Sequence, residues 1–224
     1  MATPTVLFDI DGTLVDSNYL HVESWGHAFA SVGVSVDSWR IHRSIGMDSD
    51  KLLDAMLGSR ADELGERASD LHSRYYSELA DRLRPFDGAR DLVAALAARG
   101  VTVVLATSAP EDELEVLRGV LDIDDSVAHM TSSGDVATAK PEPDIVEVAL
   151  AKAGASPAET FMIGDTIFDV IAAAGAGVRT IGVLSGGVSA AELLGAGAVA
   201  VYDDVRALLD ALDSSPLAEL VRSV

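Results

Sequence analysis

Five short apolar runs, which alternate with helical patterns, limit the possible folds of this chain more than any other feature. The runs span Thr5–Ile10, Val101–Ala106, Thr160–Ile163, Val178–Val183 and Ala198–Val201. Because they are continuously apolar, they are typical of parallel strands buried on both faces. The helical patterns span Ala89–Ala98, Glu111–Val120, Ile145–Ala153, Phe168–Ala174, Ala190–Leu194 and Val205–Leu212. This alternation predicts an α/β fold with a doubly wound, mainly parallel sheet.

The interval from Asp16 to Pro85 breaks the alternation, because it contains helical patterns without a convincing buried strand. The patterns span Leu20–Ser31, Lys51–Leu57 and Ala61–Leu83. We therefore expect a Rossmann-like core formed by residues 1–15 and 86–224, with an all-helical domain inserted at residues 16–85. This insertion carries 8 of the 16 basic residues and 12 of the 36 acidic residues, so most of the excess negative charge belongs to the core.

The charge and composition exclude several classes of partner. A formal net charge of −20 argues against nucleic acid, whose phosphates would be repelled. The chain has no cysteine, which excludes disulfides, thiol nucleophiles and thiolate metal sites. No apolar run is long enough for a membrane helix, and the amino terminus lacks the pattern of a signal peptide. We therefore expect a cytoplasmic protein with no membrane partner.

Two pairs of carboxylates follow predicted strands. Asp9 and Asp11 follow the first apolar run, and Asp165 and Asp169 follow the third. Ligands of doubly wound sheets bind beyond the carboxyl ends of the strands, so these pairs are candidates for one pocket. Hard oxygen ligands suit Mg²⁺, which retains waters and binds phosphate oxygens readily. Taken singly, the first pair also fits a polar strand end with an Asx turn, and the second fits charges at a helix amino terminus.

Two further segments carry groups that suit an anion. Thr107 and Ser108 follow the second run, and Pro110 is expected in the first turn of a helix, leaving nearby amides and hydroxyls free for an anion. An ordinary Ser/Thr cap is the alternative. Lys140 is one of only three lysines, and its compact ammonium suits a place among carboxylates and a phosphate. Its alternative is a solvated lysine before a proline turn.

Together these segments resemble the four motifs of the haloacid dehalogenase superfamily. The motifs are Phe8-Asp9-Ile10-Asp11-Gly12-Thr13-Leu14-Val15-Asp16-Ser17, Thr107-Ser108, Lys140-Pro141-Glu142-Pro143-Asp144 and Gly164-Asp165-Thr166-Ile167-Phe168-Asp169. Their order and spacing are similar to the subfamily with a helical cap between the first two motifs, the group of phosphoglycolate phosphatases and β-phosphoglucomutases. The resemblance covers essentially the whole chain, and the combination of motifs is far more specific than any one of them. Capped relatives of this kind are often monomers, and no exposed apolar heptad in the sequence argues otherwise, so the resemblance implies a monomer.

The resemblance implies a phosphoryl-transfer site. It assigns Asp9 as the nucleophile that forms an aspartyl-phosphate, and Asp11 as the general acid that protonates the leaving group and then activates water. Mg²⁺ would be bound by the Asp9 carboxylate, the backbone carbonyl of Asp11 and Asp165. Asp169 would be a direct ligand or a partner of a ligand.

The same resemblance assigns the phosphate contacts. Thr107 and the amide of Ser108 would hold phosphoryl oxygens, and Lys140 would neutralise the pair formed by Asp9 and the phosphate. The expected activity is Mg²⁺-dependent hydrolysis of a small phosphorylated metabolite, either a sugar phosphate or a compound like phosphoglycolate. A phosphomutase is the alternative, and a non-enzymatic binding relative is a further one.

The inserted helical domain would be the cap that contacts the substrate. Its candidate residues are His21, Glu23, Trp25, His42, Arg43, Gly46 and Lys51. Among them, we assign substrate binding to His21 and Arg43, with a surface arginine as the alternative for Arg43. A mutase would require a cation here for a second phosphate, which Arg43 or Lys51 could supply. For Trp25 and Trp39 we expect packing in the core of the helical domain.

Overall fold

The computed structural model describes residues 3–136 and 138–221, and it divides into two compact units. The first unit contains the chain up to Asp16 together with the chain from Arg84 onward, and the second contains Ser17–Leu83. Within the first unit, the Phe86 amide donates a hydrogen bond to the Leu14 carbonyl at 2.9 Å. That pairing explains why residues 84–85 belong to the first unit. We call the two units the core unit and the helical unit.

The core unit is built on a six-stranded sheet whose neighbouring strands are all parallel. Its strands are β1 (Thr5–Phe8), β2 (Thr102–Ala106), β3 (His129–Thr131), β4 (Thr160–Gly164), β5 (Arg179–Val183) and β6 (Ala200–Tyr202). Their order is β3-β2-β1-β4-β5-β6, so the strand at the centre has Leu7 between Val104 and Met162. The predicted doubly wound α/β fold is confirmed.

Helices of the core unit pack on this sheet. They are α5 (Ala89–Ala98), α6 (Glu111–Leu121), α7 (Asp144–Ala153), α8 (Ile167–Gly175), α9 (Ala190–Ala196), α10 (Val205–Asp210) and α11 (Ala218–Val221), numbered after the four helices of the helical unit. Ile145 and Val146 of α7 pack with Ala172 of α8 against Leu7 and Val104. These apolar contacts fix the helices that flank the carboxyl ends of the strands. No helix in the described part of the chain is long and apolar enough to cross a membrane.

The helical unit has a core of its own. Its helices are α1 (Asn18–Ser31), α2 (Ser38–His42), α3 (Ser49–Leu57) and α4 (Ala61–Glu78). Trp25 and Phe29 of α1 stack with ring centroids 5.3 Å apart and pack with Ile41 of α2. Trp39 is 66% exposed, so the prediction that it packs in the core is wrong. Residues two positions apart lie on opposite faces of a helix, and the buried face of α2 is taken by Ile41.

Three predicted elements end earlier than expected, among them helix α10, which ends at Asp210 instead of Leu212, and the short elements β3, α2 and α11 were not predicted. The first strand ends at Phe8 because the Ile10 carbonyl accepts the amides of Leu14 and Val15, which turns the chain. The helical pattern over 61–83 ends at Glu78 and continues as a 3₁₀ turn at Ala80–Arg82. Strand β3 and helix α2 have three and five residues, too few for a periodic pattern.

Candidate functional site

Neighbouring strands β1 and β4 bring acidic side chains together at the carboxyl ends of the strands. The Asp9 amide donates to the Ile163 carbonyl at 3.0 Å, so the chain after β1 remains beside β4. Oxygen atoms of Asp9, Asp165 and Asp169 lie within 4.8 Å of one another, and all three residues are buried. We call these three residues the carboxylate cluster. The side chain of Asp11 is half-buried on the following turn and does not belong to this cluster.

The start of helix α8 fixes the orientation of Asp169. The Thr166 amide and hydroxyl donate to Oδ2 of Asp169 at 3.0 and 2.7 Å, and the Asp169 amide donates back to the Thr166 hydroxyl. This reciprocal capping box satisfies amides that a helix otherwise leaves unpaired. A Cβ atom at Gly164 would lie 2.5 Å from Cγ of Asp169, so this position has room only for glycine.

Lys140 is the buried cation of the site. Its Nζ lies 2.5 Å from Oδ1 of Asp9 and 2.7 Å from Oδ1 of Asp169, and the residue is 2% exposed. Burial lowers the pKa of Lys140, but Asp169 and Asp9 outweigh that effect and hold this pKa above its ordinary value. The ammonium therefore stays charged and bridges two members of the carboxylate cluster.

The cluster has more negative charge than one lysine neutralises. Burial raises the pKa of Asp9 to about 7; Lys140 opposes this shift, whereas Asp169 and Asp11 add to it. A raised carboxyl pKa beside a charged lysine indicates that further positive charge would be accommodated. Buried oxygen donors of this kind fit a hard divalent cation such as Mg²⁺.

The loop after β1 is tied to the cluster by a residue that the sequence analysis did not single out. Thr13 is fully buried, and its hydroxyl donates to Oδ1 of Asp165 at 3.0 Å. Gly12 has φ of +73°, a conformation that permits the sharp exit expected after Asp11. The loop therefore carries both the Asp9–Asp11 pair and a hydrogen bond that orients Asp165.

The loop after β5 also contacts the site, and no residue of this loop was predicted from the sequence to do so. The Ser185 hydroxyl donates to the Gly12 carbonyl at 2.6 Å. A Cβ atom at Gly186 would lie 1.6 Å from Oδ2 of Asp165, so the backbone packs directly against this carboxylate. The one signal in the sequence is the Ser-Gly-Gly turn that follows a buried run, and a turn of that kind does not specify what it contacts.

Thr107 and Ser108 follow β2, the other neighbour of β1. Thr107 is buried, its hydroxyl accepts the Ala109 amide at 3.1 Å, and its carbonyl accepts the Thr131 hydroxyl at 3.1 Å. The prediction that the neighbouring amides are free is therefore wrong for Ala109. The accepting hydroxyl of Thr107 still has a proton to donate.

The beginning of helix α6 also differs from the expectation. Pro110 is the residue before the helix rather than a member of its first turn, which contains Glu111, Asp112 and Glu113. These acidic residues already complement the positive end of the helix dipole. An anion held here would therefore depend on the Thr107–Ser108 segment rather than on the helix terminus.

The predicted substrate-binding residues His21 and Arg43 lie in the helical unit. His21 is buried on α1, its Nδ1 is 3.1 Å from Nε2 of His72, and its ring stacks on Tyr76 with centroids 4.0 Å apart. Arg43 is exposed at the end of α2. Their role in substrate binding stays a prediction.

Burial of His72 has a clear electrostatic consequence. Its ring lies 4.1 Å from Trp25 by centroids, and burial, with a smaller contribution from His21, lowers the pKa of His72 to about 2. The imidazole therefore stays neutral at physiological pH. We call Trp25, His72, His21 and Tyr76 the aromatic stack.

Comparison with known proteins identifies one family. A family model described as haloacid dehalogenase-like hydrolase matches residues 3–177. A phosphoglycolate phosphatase from Agrobacterium fabrum is 30% identical over 190 residues, which cover 82% of each chain. Another, from Rhodospirillum rubrum, is 30% identical over 215 residues, covering 92% of this chain and 89% of the relative. The crystal structure of a hydrolase from Pseudomonas syringae superimposes with a TM-score of 0.89 and 35% identity, covering 94% of this chain and 98% of that one.

Proposed function

The chain belongs to the haloacid dehalogenase-like hydrolase family and is an enzyme, and we propose that it is a Mg²⁺-dependent phosphatase acting through an aspartyl-phosphate. The observation that carries this proposal is the buried contact of Lys140 with Asp9 and Asp169 beside Asp165. We propose a small phosphomonoester as the substrate, either a sugar phosphate or a compound like phosphoglycolate. Two relatives named phosphoglycolate phosphatase support that class.

The carboxylate cluster suits the cation that the proposal requires. Asp9 and Asp165 would hold Mg²⁺ together with the backbone carbonyl of Asp11, and Asp169 would be a further ligand or a partner of one. When bound, Mg²⁺ polarises the phosphoryl group and offsets its negative charge. One carboxylate oxygen of Asp9 contacts Lys140, and we assign the attack on phosphorus to the other.

Two displacements at phosphorus complete the reaction. In the first, a carboxylate oxygen of Asp9 forms a bond to phosphorus while the phosphorus–oxygen bond of the ester breaks. The leaving oxygen takes a proton from the Asp11 carboxyl group, so an alcohol departs. In the second, Asp11 accepts a proton from water as the water oxygen attacks phosphorus. The bond from phosphorus to Asp9 then breaks, which releases phosphate and restores the Asp9 carboxylate.

Other residues of the core unit would stabilise charge in these steps. The Lys140 ammonium is held beside the attacking carboxylate, so it offsets the repulsion between Asp9 and the phosphate. Thr107 has a hydroxyl proton to donate to a phosphoryl oxygen, and the Ser108 amide is the second proposed donor. The reaction thus depends mainly on positioning and on electrostatic stabilisation.

Replacement of the nucleophile tests the proposal. Phosphate release should be measured with Mg²⁺ across sugar phosphates and phosphorylated organic acids, for the native protein and for Asp9→Asn. We expect Asp9→Asn to lower the best activity by about a thousandfold or more. The matched control is Asp125→Asn, because Asp125 is an exposed aspartate distant in sequence from every motif. It should keep native activity.

Two further readouts separate this mechanism from others. Acid quenching of the native enzyme should trap a protein species that is heavier by one phosphoryl group, and Asp9→Asn should not form it. Chelation of Mg²⁺ should stop phosphate release. Undiminished turnover in Asp9→Asn would falsify the proposal, and absence of turnover for every substrate would favour the non-enzymatic alternative. An isomerised sugar phosphate formed after addition of a sugar bisphosphate would instead favour the phosphomutase.

A further inference from the structure

The loop that follows β5 touches two parts of the candidate site with consecutive residues. Ser185 donates its hydroxyl proton to the Gly12 carbonyl at 2.6 Å, and Gly12 directly follows the proposed general acid Asp11. The next residue, Gly186, packs its backbone against Oδ2 of Asp165, where a Cβ atom would lie at 1.6 Å. One short loop therefore contacts both the turn that carries the acid and a member of the carboxylate cluster.

These contacts form a closed series of interactions that connects the turn after β1, Asp165 and the loop after β5. From Gly12 the chain continues to Thr13, whose hydroxyl donates to Oδ1 of Asp165. Asp165 in turn contacts the backbone of Gly186, which is the neighbour of Ser185. The position of the turn after β1 is thus defined from two sides, by Asp165 through Thr13 and by Ser185 through the Gly12 carbonyl.

Hydrogen bonds hold the loop after β5 in place, so its contact with Gly12 can fix the position of the turn after β1. The Leu184 amide donates to the Tyr202 carbonyl of β6 at 3.1 Å, and the Gly187 amide donates to the Leu184 carbonyl at 3.0 Å. On the other side of the loop, Ser189 caps helix α9 in a reciprocal capping box with Glu192. Backbone hydrogen bonds and a capped helix therefore hold Ser185 on both sides.

We propose that Ser185 is a positioning residue that aligns Asp11 for proton transfer to the leaving group. This inference rests on the proposed function, because it requires Asp11 to be the general acid. Gly12 at φ of +73° lies in a region that glycine samples widely, so its backbone does not by itself fix the direction of the preceding carboxylate. The Gly12 amide donates to the Val15 carbonyl at 2.9 Å, and the hydrogen bond from Ser185 holds the Gly12 carbonyl on the other side of the residue. A proton donor must lie within hydrogen-bonding reach of the leaving oxygen, and a small misplacement is costly.

Leaving groups that differ in their need for a proton test this role. An alkoxide leaves poorly without a proton, whereas 4-nitrophenolate is a stable anion that leaves without one. The value of kcat/KM reports the first displacement, in which the acid acts. Ser185→Ala should therefore lower kcat/KM for the best alkyl phosphate by about 10- to 100-fold, the usual cost of removing a supporting hydrogen bond. For 4-nitrophenyl phosphate the loss should stay within about threefold.

Three variants and one binding measurement isolate the hydroxyl of Ser185. Ser185→Thr retains the hydroxyl and should restore kcat/KM for the alkyl phosphate to within about threefold of the native value. Ser214→Ala removes an exposed hydroxyl that bonds to the Ala211 carbonyl, outside this loop, and it should leave the preference between the two substrates unchanged. Asp11→Asn should show the same preference as Ser185→Ala, only larger. Mg²⁺ affinity of Ser185→Ala, measured by titration calorimetry, should stay native.

The outcomes distinguish this inference from the proposed function. Equal losses for both substrates, or a clear fall in Mg²⁺ affinity, would mean that Ser185 supports the site as a whole and would overturn its role in aligning Asp11. Native kinetics of Ser185→Ala, with Asp9→Asn inactive, would overturn this inference alone. If Asp11→Asn does not discriminate between the leaving groups, or if Asp9→Asn remains active, the proposed function itself fails.

Discussion

The two units bury polar side chains in opposite ways. In the core unit, the carboxylate cluster retains charge, and buried Lys140 contacts two of its three members. In the helical unit, the aromatic stack contains His72, which burial keeps neutral, and His21 lies within hydrogen-bonding distance of it. Buried charge without full compensation is costly, so it is expected where chemistry needs it. The neutral imidazole of His72 serves packing.

The comparison predicts opposite responses to acid. The pKa of Asp9 is raised to about 7 from an ordinary 3.8, so the native core binds a proton between these values that the unfolded chain does not. Without metal, this contribution stabilises the core at low pH and is lost as pH rises through 7. The pKa of His72 is lowered to about 2 from 6.5, so its contribution is complete above pH 6.5 and is lost as pH falls.

Removal of the buried cation should have the largest effect on stability. Lys140→Met leaves Asp9 and Asp169 as buried charges without their ammonium, and we expect a loss of about 3–5 kcal/mol in the free energy of unfolding at pH 8 without Mg²⁺. Urea unfolding followed by far-UV circular dichroism measures it. The control is Lys152→Met, which removes a partly exposed lysine paired with Asp135 and should cost under about 1 kcal/mol. Similar losses for both variants would contradict the contrast drawn between buried and surface charge.

A methyl group beside the cluster should have the next largest effect. Gly186→Ala forces Asp165 or the loop to move, and we expect a loss of about 1–3 kcal/mol in stability and at least about tenfold in Mg²⁺ affinity. Calorimetric titration with Mg²⁺ and urea unfolding measure the two effects. Gly119→Ala is the control, because a Cβ atom there meets nothing within 4 Å and the position is helical. Gly119→Ala should gain about 0.5–1 kcal/mol in the free energy of unfolding. Mg²⁺ binding by Gly186→Ala at native affinity would contradict the tight fit at Asp165.

Over a single pH unit, the pH response of the helical unit should be the smallest of the three effects. Protonation of the unfolded chain at His72 should reduce stability by about 1.4 kcal/mol per pH unit below pH 6.5. His72→Phe keeps an aromatic ring against Trp25 and should remove that slope. Both tryptophans of the chain, Trp25 and Trp39, lie in the helical unit, so urea unfolding followed by tryptophan fluorescence reports on this unit.

Exposed His27 supplies the control for this measurement. His27→Gln replaces an imidazole outside the aromatic stack, and this variant should retain the slope that His72→Phe removes. A slope that persists in His72→Phe would show that His72 is not the origin of the acid sensitivity.

The sequence predicts those elements of the fold in which the hydrophobic pattern of the residues matches their burial in the structure. The runs over Val101–Ala106 and Val178–Val183 became strands nearly in full, because both faces of the central sheet are covered. Edge strand β3 has an exposed His129 and only three residues, so it leaves no apolar run to detect. Trp39 was assigned to the core from residue type alone, although the short helix that carries it buries only the opposite face.

The residues of the candidate site likewise fall into two groups, those that the sequence predicts and those that it does not. Asp9, Asp165 and Asp169 could be proposed from sequence because they follow strands, and the parallel sheet brings strand ends to one edge. Ser185 and Gly186 could not, because their contribution is a hydrogen bond and a close approach to residues 173 and 21 positions away along the chain. No local pattern encodes contacts of that kind, since they arise only when strands β1, β4 and β5 lie side by side.

Asp169 offers a way to edit charge and architecture separately. One of its oxygens accepts hydrogen bonds from Thr166 at the start of α8, while the other faces the Lys140 ammonium. An amide has an oxygen for the first task and no negative charge for the second, so Asp169→Asn would retain the helix cap, remove one negative charge from the cluster and place an amide nitrogen opposite the Lys140 ammonium. A single isosteric exchange can thus produce a correctly assembled but electrostatically altered protein, a starting scaffold for engineering other metal preferences at this edge of the sheet.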